Sequence, residues 1–366
     1  MKRIFVGLIC FMILFAGVDS VYGQLNRKQI RKNNKRISNF RGKKTWFGKE
    51  KRYNYVGVSV NAFNYFGDLA PLSNRASTDI AFTRPGIGVF WGHRFGPFYT
   101  LRASFTYGTI RGDDFESADP NDDDAKFRYV RNLHFRNRIK ELTVVAMFDL
   151  FKNESSYISR VQWTPYVYGG LTVFHHNPQA FVPEDSGLPE AGTWVDLEPL
   201  GTEGQYADLD PTAVNAGIEP YSKFQFAIPL GIGIRYRLNQ VLDLSFETGV
   251  RYTFTDYLDD VSQNYVDPGV FGDDELARLM SDLSYYPTAP VSGSERELDN
   301  PNIQEIYGNT DTFVGVDGNT YTRISGYGQE QRDNVRGNKN ENDLYFVTSI
   351  KVAFIIGATF RRAKFR

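Results

Sequence analysis

Leu242-Asp243-Leu244-Ser245-Phe246-Glu247-Thr248-Gly249-Val250-Arg251-Tyr252-Thr253-Phe254 alternates along its whole length. Even positions carry leucine, phenylalanine, valine, tyrosine and a threonine, and odd positions carry aspartate, serine, glutamate, glycine, arginine and threonine. Side chains on a strand alternate between its two faces, so this run has one apolar and one ionic side. A slip of one residue would exchange them and turn three charges toward the apolar surroundings, where an arginine alone costs roughly 2–4 kcal/mol at a bilayer midplane. The register is therefore fixed.

Leu344 to Phe360 repeats the pattern. Leu344, Phe346, Thr348, Ile350, Val352, Phe354 and Ile356 share one face, and Tyr345, Ser349, Lys351, Ala353 and Gly357 share the other, with Val347 and Ile355 as apolar exceptions there. A transmembrane helix needs about 20 mostly apolar residues without a central charge. A barrel strand needs about 10, with lipid on one side only. Both runs fit the second requirement.

The chain has 366 residues, of which 23% are charged, at a formal net charge of −1. Lys2 and Arg3, the apolar run Ile4–Ala16 and the site Val21-Tyr22-Gly23 read as a signal peptide, residues 1–23, whose removal leaves Gln24 first. The one cysteine, Cys10, lies inside it, and Ile9 before it argues against lipoprotein processing. The mature chain then has no disulfide, thiol nucleophile or cysteine-ligated metal. Residues 24–52 form a basic arm: Arg27, Lys28, Arg31, Lys32, Lys35, Arg36, Arg41, Lys43, Lys44, Lys49, Lys51 and Arg52 stand against Glu50 alone. Arg27, Arg31 and Lys35 would repel one another along a helix, so the arm is expected to stay irregular until it meets an anionic surface or a protein partner. Export excludes nucleic acid as that partner.

Eight segments, near 54–66, 84–94, 98–110, 139–151, 163–175, 224–238, 241–254 and 344–360, satisfy the barrel-strand pattern. Compact links alternate with long ones near 67–83, 111–138, 176–223 and 255–343. That asymmetry predicts an all-β, eight-stranded antiparallel transmembrane barrel over residues 53–366, in contact with outer-membrane lipid, with both mature termini periplasmic and the long loops extracellular.

The alternation sends Arg94, Arg102, Glu141, Asp149, Arg235, Arg237, Asp243, Glu247, Arg251 and Lys351 inward. Eight strands enclose a space that side chains fill, so these charges should neutralise one another in a plugged lumen. The facing of the fifth strand stays open, because Tyr166, Tyr168 and Phe174 oppose Val167, Leu171 and Val173. Tyr53, Tyr55, Tyr65, Phe66, Phe95, Phe98, Tyr99, Tyr252, Phe254, Tyr257 and Phe360 lie near strand ends and are expected at the headgroup levels. Gly231 and Gly233 should make room for neighbouring arginines.

No catalytic constellation, cofactor motif or metal site stands out. His175 and His176 are adjacent, so they face opposite ways and cannot share one site. Asp119-Pro120-Asn121-Asp122-Asp123-Asp124 has oxygen ligands at alternate positions but lacks the glycine and final glutamate of a calcium loop. Thr312 to Thr322 reads as a hairpin around Asp317-Gly318.

Several stretches resemble a Bacteroidota family of PorG-like outer-membrane β-barrels associated with type IX secretion. They are Asn64-Tyr65-Phe66-Gly67-Asp68-Leu69, Arg131-Asn132-Leu133-His134-Phe135-Arg136 and Phe174-His175-His176-Asn177-Pro178. Two longer ones are Trp194-Val195-Asp196-Leu197-Glu198-Pro199-Leu200-Gly201-Thr202-Glu203-Gly204-Gln205 and Phe254-Thr255-Asp256-Tyr257-Leu258-Asp259-Asp260-Val261-Ser262. The resemblance implies a non-enzymatic structural or interaction barrel, accessory to protein secretion and its periplasmic ring; the basic arm is not part of the matching stretches, and its charge gives the expectation that it docks on an anionic or protein partner such as that ring. It marks Asp68, Trp194, Asp196, Glu203, Asp256, Tyr257 and Asp259 as loop residues of interest, with turn formation the expected role of Asp68, Asp256 and Asp259. The rival readings are a lipid-modifying enzyme at the outer rim, using the histidines, and a narrow transport channel.

Overall fold

In the computed structural model, residues 47, 51–69, 82–155 and 157–356 are described. The signal segment, nearly all of the basic arm and residues 357–360 of the last strand lie outside them. β1 (Tyr53–Phe66), β2 (Arg84–Arg94), β3 (Tyr99–Asp113), β4 (His134–Asp149) and β5 (Trp163–His175) pair in succession, each antiparallel to the last. Two short strands, β6 (Pro178–Phe181) and β7 (Trp194–Asp196), prolong the sheet beside the loop end of β4. β8 (Phe224–Arg237) then pairs with β5, β9 (Leu242–Thr253) with β8, and β12 (Leu344–Ile356) with β9 and with β1, which closes the ring at eight strands. Between β9 and β12 the hairpin forms as β10 (Thr310–Val314) and β11 (Thr320–Ile324). β3 and β4 run further than the alternation suggested, pairing up to Asp113 with His134, so their loop shrinks to a link holding two short helices.

The outer wall is apolar. Val60, Leu171 and Ile232 are each 60% exposed or more, and Val58, Val89, Phe105, Leu142 and Ile350 join them. Burying that surface in lipid, at about 25 cal/mol per Å2, is what makes such a wall stable. At the turn end Phe95 stacks on Tyr99 at 6.1 Å and Phe151 meets Trp163 edge-on at 5.7 Å.

The fifth strand's facing is settled by burial: Tyr166, Tyr168 and Phe174 point inward, and Val167, Leu171 and Val173 outward. Tyr53, Tyr55 and Tyr65 depart from the sequence reading, for they turn into the lumen instead of lining the headgroup levels. They share the odd face of β1 with Ser59 and Asn61, and a strand cannot turn alternate rings outward without exposing those polar groups. Inside, the rings lie over glycines. A Cβ on Gly92 would sit 2.1 Å from the Tyr55 ring. One on Gly231 or Gly249 would press on Tyr168, and one on Gly233 on Tyr166. Gly231 and Gly233 thus admit tyrosine rings, where the sequence suggested arginines, because each is paired across the ladder with a tyrosine of β5 whose ring needs the space a Cβ would fill.

Candidate functional site

The inward positions assemble into tiers of charge that meet across the lumen. Nearest the short turns, Asp149 accepts from Arg94 at 2.7 Å and from Arg235 at 2.8 Å, while Arg160 from the β4–β5 turn donates to Asp243 at 2.5 Å. At mid-height Arg102 on β3 reaches Glu247 on β9, directly opposite in the ring with three strands between them on either side, with both guanidinium Nη groups on the carboxylate. Tyr166 donates to the same carboxylate at 2.6 Å, and Lys351 approaches it at 3.5 Å. Higher still, Glu141 accepts from Tyr345 at 2.9 Å and pairs with Arg251 at 3.2 Å. Arg237 stands at the turn end, outside these tiers, and donates to the carbonyl of Ile158 at 3.4 Å. A buried charge is tolerated when paired and hydrogen-bonded, and every carboxylate of these tiers has a cation on it. The void among Tyr55, Arg102, Met147, Arg235 and Lys351 measures about 20 Å3, room for one water.

Above the ionic tiers an apolar plug seals the lumen. Phe63 stacks on Tyr345 at 6.0 Å, Phe174 packs edge-on against the same ring at 6.1 Å, and Ile110, Ile139 and Val347 complete the layer. The same core continues into the loops through Leu69, Leu133, Leu258, Val261, Met280 and Leu283.

On this plug sits a polar clasp that gathers residues from all four long loops. Tyr65 Oη lies 2.6 Å from Asp259 Oδ2 and 2.7 Å from Asp343 Oδ1. One hydroxyl carries one proton, so the second short contact needs a proton on a carboxyl. Burial, reinforced by the neighbouring acids, holds both aspartates well above the usual carboxylate range and supplies that proton. Burial also pushes Asp68 and Asp260 up to about 6 and Asp256 up to about 9. Arg336 donates to Glu203 at 3.0 Å and lies 3.7 Å from Asp260. Glu203 accepts in turn from the backbone N–H of Ser262 and Gln263, at 2.8 and 3.0 Å. Arg131 holds Asp114 in a fork at 2.7 and 2.9 Å and donates to the carbonyls of Asp68 and Arg336. Asp260 has a left-handed φ of 68°, stabilised by Thr202 at 2.5 Å and Tyr221 at 2.6 Å on its carboxylate.

Of the loop residues marked by sequence, Asp68, Glu203, Asp256 and Asp259 meet in this clasp, and Tyr257 stacks on Tyr221 at 4.7 Å beside it. Turn formation alone does not describe the acids: Asp259 Oδ1 accepts from Val261 N, but its Oδ2 reaches Tyr65 and the N–H of Leu69. Asp68 Oδ2 accepts from the N–H of Asn338 at 2.8 Å, across the sequence from its own loop. Trp194 and Asp196 lie elsewhere, on β7, where Trp194 faces Arg136 and Asp196 accepts from Asn177 and Gln179. Sequence reasoning missed Arg131, Arg336, Asp260 and Asp343 as members of the clasp. Arg131 and Asp260 stood inside the family-like stretches, whereas nothing local marked Arg336 and Asp343. The basic residues from Arg27 to Lys44 lie outside the described residues.

His175 points out and packs edge-on against Phe224 at 4.9 Å. His176 points in, stacked on Tyr221 at 5.9 Å, and burial pushes it down to about 4, so its ring is neutral at physiological pH. Asp119 and Asp122 cap their own turns through the N–H groups of Asn121 and Asp124.

An apolar exterior, an ion-paired interior and loops gathered at one end define a closed, eight-stranded β-barrel of the transmembrane kind. The chain belongs to the family described as domain of unknown function (DUF6089), whose model matches residues 44–190 and 204–271. No match is found among curated proteins. Among solved structures it is similar to Neisserial surface protein A, at 10% identity and a TM-score of 0.32, over 82% of this chain and 96% of that one. It is also similar to the N-terminal barrel domain of Pseudomonas aeruginosa OprF, at 9% identity and a TM-score of 0.29 over 83% and 98% of the two chains. A major outer membrane protein of Thermus thermophilus gives 12% identity and a TM-score of 0.32 over 82% and 99%.

Proposed function

We propose that this protein is a non-enzymatic barrel of the outer membrane that presents a rigid loop cap on the cell surface and docks a periplasmic partner through its basic arm, as an accessory of type IX secretion. The observation that carries the interaction role is the clasp on its apolar plug. It ties all four long loops to one another and to the barrel mouth, which suits a fixed docking platform and blocks a conduit. The outer-membrane placement rests on the lipid-like wall, and the secretion assignment rests on the resemblance of the family-like stretches and on the charge of residues 24–52.

The non-enzymatic reading is supported by the histidines, which face opposite sides of the wall with His176 enclosed by aromatic rings. The test is affinity purification from native membranes with mass spectrometry, comparing the full chain with one lacking residues 24–52. Heat-modifiable barrel folding should persist in both, and periplasmic partners should be lost with the arm. Undiminished recovery of those partners would refute arm docking.

A further inference from the structure

The loop end of β4 carries Arg136, Arg138 and Lys140 at three consecutive outward positions, and directly below them the same face continues as Leu142, Val144, Ala146 and Phe148. We propose that this basic stripe binds the phosphate groups of a lipid headgroup in the outer leaflet. The inference rests on the outer-membrane placement above.

Position argues for lipid. Lys140 is level with His175 on β5, and His175 with the exposed Phe224 on β8, so the charges begin where the apolar wall ends. Acyl chains at that place would lie along Leu142, Val144, Leu171 and Val173, all exposed.

Charge argues for an anion. Arg138 and Lys140 are exposed, and no carboxylate pairs with either among the described residues. The nearby acids are engaged with other groups. Arg111, opposite Arg136, is held by Asp113 at 3.0 Å and Glu116 at 2.6 Å; Lys223 is held by Glu198 at 3.1 Å; Asp196 accepts from two amides. Like charges on one strand face repel, so a row of three cations is costly until counter-charge arrives. Arg136 is already oriented, its guanidinium 3.9 Å from the Trp194 ring and its Nε donating to Gln179 at 3.1 Å. That leaves its Nη edge for a phosphate fork. Outward positions recur every ~7 Å along a strand, so the stripe spans about 13 Å, enough for more than one phosphate.

Native mass spectrometry of the full-length protein in detergent, titrated with diphosphorylated lipid A, its monophosphorylated form and an unphosphorylated glycolipid, tests the site. Affinity should rise with phosphate number. R136Q/R138Q/K140Q should weaken the diphosphorylated lipid by roughly 100-fold, from about fivefold per cation. R332Q/K339Q, which removes two exposed cap charges, should leave binding within about twofold, the surface cap lying off the headgroup level. If the triple variant loses heat-modifiable folding, R138Q and K140Q singly should each show the fivefold step. Indifference to phosphate number, unchanged affinity of the stripe variants, or displacement by millimolar inorganic phosphate would each overturn the proposal. Failure of the wild-type barrel to insert into vesicles would instead overturn the membrane placement, and the proposal with it.

Discussion

Among the described residues Glu247 is the carboxylate that pairs with two buried cations, Arg102 and Lys351, and its replacement by glutamine tests whether the lumen is closed. Its carboxylate takes both Nη groups of Arg102, the hydroxyl of Tyr166 and the ammonium of Lys351, and the three charged side chains are 2%, 6% and 9% exposed for Glu247, Arg102 and Lys351. Glutamine keeps the shape and an acceptor for Tyr166 but leaves two positive charges unpaired. Breaking one buried pair costs about 3–5 kcal/mol, and even the lower figure is a factor of roughly 150 in the folding equilibrium. R102M/E247Q/K351M removes the whole charged group and should recover most of the loss, since apolar side chains of similar volume replace buried ion pairs at little cost. Urea unfolding from phosphatidylcholine vesicles, followed by tryptophan fluorescence, measures both, because Trp91 and Trp163 face outward and report insertion. A loss below about 1 kcal/mol for E247Q, or a triple variant less stable than the single one, would show hydrated charges and an open lumen.

Gly92→Ala places a methyl 2.1 Å from the Tyr55 ring and should cost about 1–3 kcal/mol in the same assay, while Gly169→Ala, whose tightest contact is the tip of Leu230 at 3.0 Å, should be near neutral. The clasp should tighten as pH falls. Asp256, raised to about 9, and Asp68 and Asp260, raised to about 6, hold protons that the unfolded chain gives up near pH 4, so the folded cap binds more protons across this window and loses stability as pH rises through it. Hydrogen exchange over residues 255–263, corrected for intrinsic rates, should show protection falling between pH 5 and 9, and protection that grows with pH would contradict the assignment. In planar bilayers the purified barrel should show no steady single-channel conductance, because the ionic tiers and the Phe63–Tyr345–Phe174 plug stand across the lumen.

The period of two in Leu242–Phe254 and Leu344–Ile356 was enough to place the lipid face and send Asp243, Glu247, Arg251 and Lys351 inward, and both strands stand so in the structure. That signal is local: the pleat imposes it residue by residue, and a charged side chain on the wrong face is too costly to tolerate. It failed for Tyr53, Tyr55 and Tyr65, since tyrosine suits a headgroup level and a lumen alike. What decided their facing was the strand face they share with Ser59 and Asn61, with Gly92 on the neighbouring strand leaving room for the Tyr55 ring and Asp259 and Asp343 meeting Tyr65.

The partners of each charge were equally beyond the reach of alternation. Arg102 finds Glu247, Arg251 finds Glu141, and Tyr65 stands between Asp259 and Asp343 only because the closed ring and the folded loops bring together residues far apart in the chain. Sequence alone determined which charged side chains leave the lipid, while the facing of the fifth strand and of Tyr53, Tyr55 and Tyr65 waited for the folded barrel. Tertiary structure decided which of them meet, because pairing across a lumen depends on closure and strand order, and neither is written in the spacing of any one strand.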